Sequence, residues 1–60
     1  MTIELTFKSG RAHRLFMQWF DKNIGTEMEI DRENCSVMCF ELEPDESDRC
    51  FDKAFALNNE

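Results

Sequence analysis

Residues Thr2 to Lys8 alternate strictly, with Ile3, Leu5 and Phe7 on one side and Thr2, Glu4, Thr6 and Lys8 on the other. A period of two predicts a half-buried strand. Ser9-Gly10 interrupts it, and Ser9 is placed to cap a helix. From Arg11 to Ile24 the period lengthens. At about 100° per residue, Ala12, Leu15, Phe16, Trp19 and Phe20 fall within an arc of about 140°. Arg11, Arg14, Gln18, Asp21 and Lys22 lie opposite, and His13, Met17 and Ile24 lie on the flank. Gly25 is the stop expected at the end of such a helix.

Alternation returns at Thr26 to Asp31, with Met28 and Ile30 facing one way and Glu27, Glu29 and Asp31 the other. Asp31-Arg32-Glu33-Asn34 suits a hairpin turn. A third strand is expected over Cys35 to Glu43, with Met38, Phe40 and Leu42 on the core face and Val37, Cys39 and Glu41 outward. Pro44 ends that strand and opens a last helix, whose early Asp45, Glu46 and Asp48 suit the helix dipole. Its apolar side reads as Cys50, Phe51, Ala54, Phe55 and Leu57, with Asp48, Arg49, Asp52 and Lys53 facing out. The order is β-α-β-β-α. Each strand has one apolar face, so both helices must cover the same side of the sheet. The expected fold is an α+β two-layer sandwich, residues 1–60 forming a single domain. The third strand is expected at the centre of an antiparallel sheet.

Size limits what such a domain can do. A chain of 60 residues buries only about 60% of the surface its unfolded form exposes, which leaves little room for the deep pocket of an enzyme. Six Phe and one Trp, with only two Gly and one Pro, argue against disorder. No apolar run approaches the ~18 residues of a membrane span, and Met1 to Leu5 lacks the basic flank of a secretory signal. Cys35, Cys39 and Cys50 are an odd number of cysteines. Free thiols in a reducing cytoplasm are therefore expected.

Charge adds the next constraint. The formal net charge is -6, distributed unevenly. Residues 8 to 22 hold Lys8, Arg11, Arg14 and Lys22 against Asp21 alone, whereas residues 27 to 60 hold most of the acids and only Arg32, Arg49 and Lys53. Alternation sends Glu4, Glu27, Glu29 and Glu41 to the outward face of the sheet, with Asp31 and Glu43 at its ends. Neighbouring carboxylates repel one another, so a face that keeps them is suited to a cationic partner. The plain alternative is a solvated face that keeps the domain soluble and blunts its edges.

Other chemistries find less support. Cations at Lys8, Arg11 and Arg14 oppose the dipole at a helix start. With Ser9 and His13 they outline an alternative anion or nucleic-acid site, although no phosphate-binding motif is present. The acidic body disfavours direct nucleic-acid binding. His13, Cys35, Cys39 and Cys50 are zinc-ligand types. On a strand, however, Cys35 and Cys39 stand about 13 Å apart, and no CxxC pair is present. No metal or cofactor is expected, and no catalytic residue can be assigned.

The function expected from the sequence is a small acidic, non-enzymatic, cytoplasmic protein-binding module. Its partner-binding residues are Glu27, Glu29, Glu41, Asp45, Glu46 and Asp48, with Val37 and Met17 as apolar anchors. The expected partner is a protein with a basic surface, of the kind that binds nucleic acid. The domain would act as a regulator or inhibitor. Size and composition alone carry the analogy to inhibitors that phages deploy against nucleic-acid-handling machinery. A homodimer would bury the flank at Met17 and Ile24.

Overall fold

The computed structural model describes residues 1–60 and follows the expected order: β1 (Ile3–Thr6), α1 (Gly10–Asn23), β2 (Met28–Asp31), β3 (Ser36–Cys39) and α2 (Pro44–Asn58). The three strands form one antiparallel sheet in the order β1-β3-β2, with β3 at its centre. Ile3, Leu5, Val37 and Cys39 from the sheet and Phe7 just after β1 join Ala12, Phe16, Phe20, Cys50, Ala54 and Leu57 from the helices in one buried cluster. Both helices therefore seal the same side of the sheet.

Local chemistry explains the boundaries of α1. The Ser9 hydroxyl accepts the Ala12 N–H at 3.1 Å, satisfying one of the amides that a helix start leaves free. At the other end the amides of Ile24 and Gly25 both donate to the Phe20 carbonyl at 2.9 Å. Gly25 takes φ +78° there, a backbone state that costs other residues strain. α2 begins with Pro44 in its first turn, and the Glu46 carboxylate accepts the Glu43 N–H at 2.9 Å.

The expected face of β3 is inverted. Val37 and Cys39 are 1% and 0% exposed, whereas Met38 and Phe40 are half-buried on the opposite side. The inversion originates at Glu41. In the register that pairs Ile3 with Cys39, Met1 would lie opposite Glu41. Instead Met1 and Leu42 exchange two hydrogen bonds, 2.9 and 3.0 Å long, and Glu41 is left as an extra residue with φ +57°. This is a β-bulge. It shifts the period by one, so Leu42 points inward together with Val37 and Cys39. Met38 and Phe40, four and two residues before Leu42, do not. Cys35 also leaves the expected strand. It closes the hairpin with φ +51°, and the Asp31 carboxylate accepts the Glu33 and Asn34 amides within the turn.

A second correction concerns α2. Phe51 and Phe55, expected in the core, are exposed. The buried stripe is Ser47, Cys50, Ala54 and Leu57, spaced at three and four residues. A three-stranded sheet already shared with α1 offers no surface wide enough for the whole apolar arc of α2.

Candidate protein-docking face

The sheet side opposite the helices is the working candidate. Register aligns Glu4, Met38 and Glu29 across one row, and Thr6, Ser36 and Asp31 across the next. A third row brings Phe40 beside Glu27, bonded through Phe40 N–H to the Glu27 carbonyl at 2.9 Å. The open face is thus a central column of Phe40, Met38 and Ser36 bordered by Glu4 on β1 and by Glu27, Glu29 and Asp31 on the β2 side. Cross-strand neighbours stand about 5 Å apart. A shallow hollow of about 220 Å³ lies between Glu4, Glu29, Asp31, Ser36 and Met38. Its carboxylates have no ion-pair partner, because the one ion pair of the protein joins Arg11 to Glu60 at 3.2 Å.

Asp31 is the most constrained of these acids. The Asn34 side chain donates to its second oxygen at 2.8 Å. That bond, followed by the Asn34 backbone bond, holds the Asp31 carboxyl below its usual range. The same contacts shape the hairpin, so this acid serves both the turn and the face.

The six expected partner-binding residues fall into separate places. Glu27 and Glu29 lie on the open face. Glu41 sits in the bulge, exposed. Asp45, Glu46 and Asp48 belong to the start of α2, in the helix layer, where Glu46 is engaged in capping. Of the two expected anchors, Val37 is buried in the core, and Met38 occupies the outward position assigned to it. Met17 lies in a groove between α1 and β2. Sequence reasoning missed Met38, Phe40 and the importance of Glu4 beside them. The bulge that reveals them has no glycine to mark it.

The alternative anion cluster is divided by the fold. His13 is buried, and its Nε2 donates to the Ser36 carbonyl at 3.0 Å. The Ser9 hydroxyl caps α1, and Arg11 pairs with Glu60. Only Lys8 and Arg14 remain as cations without an ion-pair partner.

The two core thiols, Cys39 and Cys50, are held in their neutral form. Cys39, expected on the surface, lies in the core, where burial and then the neighbouring Cys50 push its pKa up to about 12. Burial raises Cys50 as well. A protonated thiol is a poor nucleophile and a poor metal ligand. No three His, Cys, Asp or Glu side chains are grouped to hold a metal ion, and no helix is long and apolar enough to cross a membrane. Compared with known proteins, the chain matches no family model, no curated protein and no solved structure.

Proposed function

We propose that this protein is a non-enzymatic cytoplasmic binding module that regulates or inhibits a partner protein by docking its open sheet face on a basic surface. The observation that carries the reading is the hollow framed by Glu4, Glu29 and Asp31 beside Met38. A lysine or arginine lays an aliphatic stem on apolar surface while its charged head reaches an acid. Met38 and Phe40 supply the apolar strip, and the bordering carboxylates supply the charge. Such an arrangement steers a cationic partner and fixes its register, with affinity concentrated in the central apolar contacts.

The test is affinity capture from lysate using the wild-type protein and the triple variant Glu4→Lys/Glu27→Lys/Glu29→Lys. The wild type is expected to retain a basic protein that the variant loses, with circular dichroism unchanged between them. Retention of the same proteins by both overturns the reading.

A further inference from the structure

The β2 edge of the sheet carries main-chain groups that no other segment of the protein pairs. Antiparallel ladders alternate between hydrogen-bonded and non-bonded pairs. Glu27 and Phe40 are a bonded pair, so Glu29 and Asp31 also bond to β3. The N–H and C=O groups of Met28 and Ile30 then point away from the sheet. No turn, cap or side-chain hydrogen bond reaches them. Beside this edge runs a groove of about 430 Å³ between β2 and α1, floored by Met17, Met28 and Ile30 and flanked by Arg14, Arg32 and Asp21. Ile30 is 44% exposed within it.

We propose that β2 accepts an additional strand from the partner, an extended segment alternating apolar and basic residues. The inference rests on the reading of the protein as a binding module for basic partners, and it names how the partner engages. Main-chain bonds to Met28 and Ile30 hold the segment. Its apolar side chains face the same way as Met28 and Ile30, into the groove. Its intervening residues lie on the open face beside Glu29 and Asp31, where Lys or Arg is complementary. A second copy of this chain is the wrong occupant. Joining β2 to β2 sets the acids of one copy beside those of the other, a destabilising arrangement.

The probe is an acetylated, amidated seven-residue peptide alternating lysine and valine, titrated into the ¹⁵N-labelled full chain. Saturable shifts and slowed exchange are expected at the Met28 and Ile30 amides. A peptide with glutamate in place of lysine, and one N-methylated at its valines, are each expected to bind at least about tenfold more weakly. The N-methylated peptide keeps the side chains and charge but loses the donors, and it leaves the protein's folding untouched. Equal binding of that peptide, or unprotected Met28 and Ile30 amides, overturns strand addition. If shifts then map instead to Glu4, Met38 and Phe40, the docking face survives without it. Absence of any binding by the lysine peptide overturns strand addition as well, while the capture experiment still decides the docking face.

Discussion

The β1 and β2 edges flank the same central strand, yet a side chain caps one end of the first and none reaches the second. On β1, Asn58 reaches back from the end of α2. Its amide donates to the Thr6 carbonyl at 3.1 Å, and its carbonyl accepts the Lys8 N–H at 2.9 Å. One side chain thereby pairs the main-chain groups at the Thr6 and Lys8 end of this edge. On β2 nothing comparable exists. The contrast extends to the core: Leu5 and Ile30 sit on either side of Val37 in one row, but Leu5 is 7% exposed and Ile30 44%. α2 packs along β1, leaving the β2 side less well covered. An exposed strand edge is an aggregation hazard unless charge or a partner manages it. Here Glu27, Glu29 and Asp31 provide the charge.

The strongest way to break this comparison is to truncate both members of the row. Leu5→Ala is expected to cost about 2–5 kcal/mol in urea unfolding, whereas Ile30→Ala should stay within about 1 kcal/mol. Similar losses at both sites would show that the β2 side is as well packed as β1. A smaller effect is expected from Asn58→Ala. Loss of its two bonds should cost about 1–2 kcal/mol and accelerate hydrogen exchange at the Lys8 amide, with Met28 and Ile30 unchanged. Unaltered exchange at Lys8 would mean that Asn58 does not cap that end of β1.

The central strand that both edges share yields the subtlest test. Cys39 titrates at about 12 when folded against an ordinary 9.0. Its raised value contributes stability that is complete below pH 9 and is lost progressively as pH rises from 9 towards 12. Cys39→Ala should flatten that alkaline decline, measured by thermal unfolding across the range. An identical slope in the variant would remove the thiol as its cause.

Much of this architecture was legible from residue order. Strict alternation marked β1, and the helical arc of Phe16 and Phe20 marked α1, with Ser9 and Gly25 at its ends. β3 was harder, because Val37, Met38, Cys39, Phe40 and Leu42 include apolar side chains on both faces. Hydrophobicity alone cannot phase such a run. Leu42 suggested one phase, and the bulge at Glu41 imposed the other. The paired acids Glu27 and Glu29 were correctly assigned to one face, since their strand alternates without interruption. Phe51 and Phe55 were misplaced because helical spacing reports an apolar arc but not how much of it a small sheet can cover.

Local periodicity, capping residues and the alternation of acids by themselves determined the β-α-β-β-α order and the outward placement of the acids flanking the central strand. Those signals act between residues a few positions apart, within reach of backbone geometry alone. Tertiary structure decided the inward set of β3, the capping of one end of β1 by Asn58 and the groove beside β2. Each depends on contacts between segments distant in the chain, Met1 with Leu42 and Thr6 with Asn58, whose geometry exists only once the sheet and helices have packed together.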